Sequence, residues 1–582
     1  MEHEPTFTPW NPGLESEIPS RLMPLVTLYR PENGEVSYEQ AVELRDTFGL
    51  PLEALATFTP ERLVIHRLLV RVTADFTLKD GPAYEELGIS LRGMVDQLFT
   101  RYVRQKLAEL DAHYEGVRRE AALIIEAELT DKLSIPKSNS TEEKRRGFLG
   151  LFFSKNKEEP PRESDEDRQL NALRDWCDKH SIEDDLLRES CLKALCRVVG
   201  SHIGQRGRIV ADNALIRDVC VRLVLNHYGA IEINRVLDPM IDEAARREQY
   251  RKLPSQKEPV IFNVKGASAS GKSTIRGEQR RMAERLGVPW EDFALISPDY
   301  WRKYLMEYES LGDDYKYGAM LTGRELEIID RKLDEYMAAK ANDRGISHLL
   351  IDRFRFDSFS TDPVDEASSR LLTRFGHTIY LFFMVTPPAA LVERAWLRGL
   401  STGRYKAVDD LLYHNIEAYT GMPNLFFSWV QSKEKGVHFE FLDNSVPKGQ
   451  KPKTIALGWN EEMVVYDIEA LLDIARFQFV DIEARSPDEI FDGQARGGDA
   501  TFLESCVERL SMVRFIEPIS GECYAYTQDG MICLVAGKKH VEQKQAIKKA
   551  LAESGLKLVE GEGGGVQAFD ADKERVCSVG SW

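Results

Sequence analysis

The 582-residue sequence has no apolar run approaching the ~20 residues that a membrane-spanning helix needs. Its first residues, Met1 to Pro5, carry neither a basic stretch nor an apolar core, so neither a secretion signal nor a transmembrane segment is expected. Cysteine is scarce. The eight present (Cys177, Cys191, Cys196, Cys220, Cys506, Cys523, Cys533 and Cys577) form no CxxC pair and have no histidine at zinc-finger spacing. That pattern argues against a zinc module or a disulfide framework and for reduced thiols in a cytoplasmic protein. Basic charge is in deficit, with 77 Lys and Arg against 95 Asp and Glu and a net charge of -18. Non-specific attachment to nucleic-acid phosphates is therefore disfavoured, although a local basic groove stays compatible with this balance. Nor is there an internal repeat. What remains, 43% hydrophobic and 30% charged residues, is the composition of a globular chain too long for one hydrophobic core.

The expected organisation is multidomain: helical N-terminal regions, a central α/β P-loop kinase domain with a parallel sheet, and a small α+β C-terminal domain. Residues 1–58 read as an extended arm, because Pro5, Pro9, Pro12, Pro19, Pro24 and Pro31 interrupt any long helix, with one short helix near Tyr38 to Phe48. Apolar residues three and four apart predict helices over 59–135 and again over 166–252. Between them, 136–165 is a polar, Pro-bounded linker whose centre, Phe148 to Phe153, follows Lys144, Arg145 and Arg146. This short run could dock a protein partner or membrane surface, or pin the linker to a neighbouring domain. From 253 to 480 short apolar runs alternate with helical stretches, the pattern of a βαβ sheet. Its expected strands are Val260–Val264, Phe293–Ile296, Leu349–Ile351, Thr378–Val385 and Val437–Leu442. Residues 495–582 are expected to form the last domain, with strands at Cys523–Thr527 and Met531–Val535, a basic helix over Val541–Ser554 and a flexible Gly561–Gly565.

The chemistry is concentrated where the first strand ends. Residues 266–274, GASASGKST, match G-x-x-x-x-G-K-[ST], with a strand before and a helix after. Gly266 and Gly271 let the backbone N–H groups of Gly266, Ala267, Ser268, Ala269, Ser270 and Gly271 turn inward, and the next helix aims its positive end at the same place. Lys272 can then reach β- and γ-phosphates of ATP or GTP, Ser273 can complete a Mg²⁺ shell, and Thr274 closes the motif. Asp299 follows the second strand, at the sheet edge shared with Lys272. There it could take the proton of an acceptor hydroxyl or, more simply, cap a helix starting at Tyr300. Asp352, ending the third strand, is suited to Mg²⁺ or substrate, or to an ion pair with Arg353 or Arg355. Arg394 and Arg398 share a helix face, and Arg404 and Lys406 follow on a Gly-bounded loop. These could neutralise charge on a transferring phosphoryl group, as a closing lid would, or form a solvated basic face.

Residues of about 256 to 478 resemble the zeta-toxin family of P-loop kinases, relatives of chloramphenicol phosphotransferase and polynucleotide kinase. The resemblance rests on the P-loop, on Asp299 followed by Arg302, on Leu349–Asp352, on Arg404 after Gly403, and on Leu442–Asn444 after the last strand. It implies Asp299 as catalytic base, Arg394, Arg398 or Arg404 as charge stabilisers, and Asp443 and Asn444 near the nucleotide base. The implied reaction is ATP- or GTP-dependent, Mg²⁺-assisted phosphorylation of a hydroxyl on a small molecule or nucleotide-sugar. Where the family carries a Glu-Gly-Thr-like turn, this chain has Asp352–Arg355, so a different acceptor pocket is expected. The residues themselves also fit a polynucleotide-end kinase, or a nucleotide-gated binding and regulatory protein with little turnover. Every candidate catalytic residue lies in one continuous block, which suggests that the flanking regions regulate or direct it, and the helical regions or the linker's Phe148 to Phe153 could take a protein partner.

Overall fold

The computed structural model describes residues 7–81, 84–133, 164–353, 372–447, 449–491, 500–537, 539–551, 556–561 and 571–582. The Phe148–Phe153 run, Phe354, Arg355 and the stretch 562–565 lie outside them. No described helix is long and apolar enough to cross a membrane. The chain forms two compact units, one of Arg21–Arg67 with Gln97–Arg246, the other of Met1–Ser20, Leu68–Asp96 and Arg247–Trp582.

The first unit is helical. Leu107–Leu133, Asp165–Lys179, Leu186–Arg206, Asn213–Val224 and Ala230–Arg247 are its main helices. Ser164, Asp185 and Asp212 each accept backbone N–H groups at a helix start, satisfying donors that the first turn leaves unpaired. Trp176, Leu195, Val198 and Ile216 fill the interior, as their helical spacing requires. Cys177 and Cys196 meet as a disulfide across two of these helices. The expectation of eight reduced thiols is corrected accordingly: a 19-residue separation says nothing until the helical hairpin is formed.

The second unit carries a single sheet. Its strands are β1 Val260–Lys265, β2 Phe293–Ile296, β3 His348–Asp352, β4 Thr378–Val385, β5 Gly436–Asp443, β6 Lys453–Trp459, β7 Glu462–Val465, β8 Met512–Ile516, β9 Cys523–Gln528, β10 Met531–Val535 and β11 Leu558–Gly561. The order is β11-β10-β9-β8-β7-β6-β5-β4-β1-β3-β2. The β5-β4-β1-β3-β2 half is parallel. β1 lies between β3 and β4, so chain connections diverge from it to opposite sides. The carboxyl ends of strands at such a switch point are where open α/β sheets bind ligands. On one face Phe383 and Phe441 stack at 4.7 Å, and Phe426 from the helix Val408–Val430 packs edge-on against both.

Two expected boundaries are corrected. The segment after residue 495 is not a separate small sheet: β8 pairs with β7 in parallel, so the sheet continues without a break. β7 would otherwise be an open edge with unpaired N–H and C=O groups. Likewise, Leu68–Asp96 joins the α/β unit although it lies inside the expected 59–135 helical region. Lys340 Nζ and Tyr336 OH bond Asp75 at 2.9 and 2.7 Å, and Trp301 Nε1 donates to Thr73 Oγ1 at 3.3 Å. The C-terminal residues return to the middle of the sheet. Fully buried Glu440 of β5 accepts from Thr454 Oγ1 and Ser578 Oγ (2.7 Å each), Val579 N (2.9 Å) and Gly580 N (3.2 Å). Burial pushes its carboxyl up, and the four bonds only partly offset that.

A fragment of residues 252–480 is therefore expected not to fold cooperatively. It leaves Glu440 without its C-terminal donors, Lys340 without Asp75 and β7 without β8, and a buried charged group left unsatisfied costs at least ~1–3 kcal/mol. Loss of a sharp denaturant transition, compared with the full chain, is the check. A fragment with a transition as steep and as late as that of the full chain would show the block to be autonomous.

Candidate functional site

The loop after β1 turns by means of three residues with positive φ: Gly266 (156°), Ala269 (65°) and Gly271 (95°). Gly271 is required twice over. Its φ is left-handed, and a Cβ there would lie 2.2 Å from Asn444 Nδ2. Asn444, at the end of β5, donates to Ser270 O at 2.7 Å, and Thr386, just after β4, donates to the same carbonyl at 3.2 Å. Two strand ends thus brace one loop carbonyl. After Gly271 the chain enters the turn Lys272–Ile275 and then the helix Arg276–Arg285. The Lys272 ammonium donates to Gly266 O and Ala267 O, both at 2.9 Å, and so bridges the loop. Burial lowers its pKa, against the pull of Asp352 and then Asp299.

Asp352 lies at the carboxyl end of β3, the neighbour of β1. Its Oδ2 accepts from Ser273 Oγ at 2.5 Å and from Ser297 Oγ at 3.5 Å. Its side chain is only 7% exposed, and Arg276 Nη2 stands 4.0 Å from the same oxygen. The expected pair of Ser273 and Asp352 is therefore brought together, as an all-oxygen set. Among the described residues no group of three or more His, Cys, Asp or Glu is arranged to hold a metal ion. Any cation here would rely on one carboxylate and one hydroxyl, a set that suits a hard cation completing its shell with water and phosphate.

Asp299 lies in the turn Pro298–Trp301 after β2. It is not a helix cap, since the turn begins after Ser297 and the carboxylate is taken by guanidinium groups. Arg302 Nε bonds Oδ1 at 3.0 Å and Arg404 Nη2 bonds Oδ2 at 2.5 Å. Burial pushes this carboxyl up, but Arg404, Arg302 and Arg398 together outweigh it and hold it well below the usual carboxylate range. Even so, 42% of the side chain is exposed, so lone pairs remain accessible. Arg398 ends up beside Arg404, donating from Nε to its carbonyl at 3.3 Å across the Gly403 turn. Arg394, one turn earlier, is drawn away. It donates to Asn444 O at 2.5 Å and Val446 O at 3.1 Å, so it anchors the chain after β5. The four-residue spacing that places Arg394 and Arg398 on one face does not give them one partner. Asp443 accepts from Ser445 N and Oγ at 2.8 and 2.9 Å, shaping the same turn.

Two residues outside the expected set, Asp410 and His414, join this cluster around Lys406. Asp410 and His414, four apart, share a face of the first turns of the helix Val408–Val430, and Lys406 reaches them from the loop just before it. Lys406 Nζ is 3.3 Å from Asp410 Oδ2 and bonds His414 Nδ1. Burial lowers the lysine to about 8, with Arg398 and Arg302 pushing the same way and Asp410 opposing. Burial, Lys406 and Lys272 bring His414 down to about 3, so it is a neutral acceptor at physiological pH. The spacing was the only sequence signal for Asp410 and His414. The chain matches no family model, no curated protein and no solved structure with which it was compared.

Proposed function

We propose that this protein is a P-loop phosphotransferase of zeta-toxin-like type, moving the γ-phosphoryl group of ATP or GTP to a hydroxyl of a small molecule or nucleotide-sugar. The observation that carries the reading is the Ser273–Asp352 contact, 2.5 Å long, at the mouth of a loop spanned by Lys272. In nucleotide-dependent phosphoryl transfer, a lysine, a hydroxyl and a carboxylate in this relation serve the β- and γ-phosphates and their metal ion. Bound between Ser273 and Asp352, Mg²⁺ would neutralise charge on the β- and γ-oxygens. Lys272 would exchange its two loop carbonyls for phosphate oxygens, and Arg398 and Arg404 would face charge developing on the γ-phosphoryl group.

In the transfer, the acceptor oxygen forms a bond to the γ-phosphorus, the bond from that phosphorus to the β–γ bridging oxygen breaks, and the nucleoside diphosphate leaves. The acceptor proton passes to Asp299. With its pKa held low, Asp299 is a weak base, which suits a loose transition state in which the hydroxyl is aligned early and its proton lost late. Nucleotide binding with γ-phosphate transfer to an alcohol tests the reading, and tight binding without any turnover would favour a nucleotide-gated regulator instead.

The reading also fixes a pH dependence. Lys406, at about 8, is charged at neutral pH and loses its proton as pH rises through that value. Since kcat/KM reports the free enzyme's groups, it is expected to fall above pH 8, and Lys406→Arg should keep the plateau to higher pH. A basic limb unchanged in that variant would assign the limb to another group.

A further inference from the structure

Asp80 belongs to a segment nearly two hundred residues before the loop in sequence, yet its side chain is only 4% exposed and faces the first turn of the helix Arg276–Arg285. Its Oδ1 accepts from Arg276 Nη1 at 3.2 Å, and its Oδ2 from Arg280 Nη2 at 3.0 Å. Arg276 is itself buried, 7% exposed, and its Nη1 also donates to Tyr300 OH at 3.2 Å. Its Nε and Nη2 have no hydrogen-bond partner among the described residues. Nη2 stands 4.0 Å from Asp352 Oδ2, the oxygen that accepts from Ser273. A short movement of one guanidinium would therefore turn a distant ion pair into a direct, bidentate one.

We infer that Asp80 is a positioning residue that holds Arg276 back from Asp352 and so keeps that carboxylate available to a divalent cation. The inference rests on the proposed function and adds to it a part of the chain that lies outside the β1–β5 block. Two opposing charges share Arg276. Asp80 is the nearer, and it also neutralises Arg280, whose guanidinium lies over Trp290 at 5.5 Å from the ring centroid. Without the Asp80 charge, a buried guanidinium with two unpaired donors has one carboxylate left within reach. Closing on Asp352 would satisfy those donors and put a fixed positive charge where a cation must sit. Tyr300 OH cannot substitute for Asp80, because a neutral acceptor does not compensate a buried cation.

The test uses the full chain, a fluorescent ATP analogue and a Mg²⁺ titration. In Asp80→Asn, the Mg²⁺ concentration for half-maximal enhancement of binding is expected to rise roughly tenfold or more, the usual effect of removing a residue that supports a metal ligand. Binding of the analogue without Mg²⁺ should stay within about twofold, because Arg276 paired to Asp352 leaves Lys272 and the loop N–H groups in place. The second variant, Asp80→Asn with Arg276→Gln, removes the competing guanidinium and is expected to restore the Mg²⁺ response even if it lowers the melting temperature. A merely structural Asp80 would weaken metal-free and Mg²⁺-dependent binding alike, with no rescue, and that result overturns the inference. So does an unchanged Mg²⁺ response in Asp80→Asn while the wild type responds normally. Absence of any Mg²⁺-dependent binding by the wild type would instead overturn the proposed function, and this inference with it.

Discussion

Lys272→Ala is expected to abolish measurable phosphoryl transfer, a loss of at least roughly 10²–10³-fold, the effect of removing one preorganised charge or donor from a transition-state site. Among the described residues the lysine is the only cation that bonds the carbonyls of the loop itself, Gly266 O and Ala267 O. It follows directly on Gly271, whose left-handed φ aims it across the turn. Alanine removes the charge and the bridge together, so nucleotide affinity should fall as well. Lys272→Arg is no repair, since a planar guanidinium cannot make the two converging bonds of a point charge in this space. Single-turnover transfer and analogue binding, measured on the same preparations, check both expectations. Transfer at the wild-type rate by Lys272→Ala would remove the loop from the mechanism.

Asp299→Asn should separate binding from chemistry. The amide keeps the size of the side chain and can still accept from Arg302 or Arg404, but it cannot receive the acceptor's proton. Transfer is expected to fall by about 10²–10⁴-fold, the range for loss of a general base, with nucleotide affinity little changed. The carboxylate's low pKa adds a second expectation. Asp299 is held well below the usual carboxylate range, so no acidic limb of the rate profile near neutrality belongs to it. Stability carries the same sign. A carboxyl held below its unfolded value contributes stability above the unfolded pKa, and this contribution is lost as pH falls through the range below about 4. An unchanged transfer rate in Asp299→Asn would leave Asp299 as one side of an ion pair with Arg302 and Arg404 and nothing more.

The sequence was most legible where a short apolar run is flanked by turn residues. The five expected parallel strands agree with β1–β5 to within a residue or so at each end, and the helix Tyr38–Phe48 begins after its Ser37 cap as the capping pattern requires. Strands β6, β7, β8 and β11 were not foreseen. β7 is four residues long and begins with Glu462, and β8 carries Arg514 at its centre, so neither presents a clean run. Their pairing was beyond reach altogether, since β7 and β8 join in parallel across the helices Ile468–Arg476 and Thr501–Arg509 and the chain between them. In the site, local spacing placed Ser273, Asp299 and Asp352 near one sheet edge, because βα loops of a parallel sheet must end there. It could not divide Arg394 from Arg398, which depends on the carbonyls of Asn444 and Val446 arriving from another strand end. Asp80 shows the same limit most plainly: a lone acidic residue in a loop becomes significant only when the fold brings Arg276 to it.

The central claim is that the loop, Asp352 and Asp299 together carry a nucleoside triphosphate and pass on its terminal phosphoryl group. The most direct measurement is transfer from γ-labelled ATP and GTP, with Mg²⁺, into a pool of small metabolites and nucleotide-sugars, with RNA ends and protein as parallel acceptors. Wild type, Lys272→Ala and Asp299→Asn are compared, and the labelled product is identified. The account predicts label on a hydroxyl of a small acceptor with the wild type, no transfer with Lys272→Ala, and bound nucleotide with little transfer for Asp299→Asn. Failure of the wild type to bind either nucleotide, or label transferred equally by all three proteins, would contradict it.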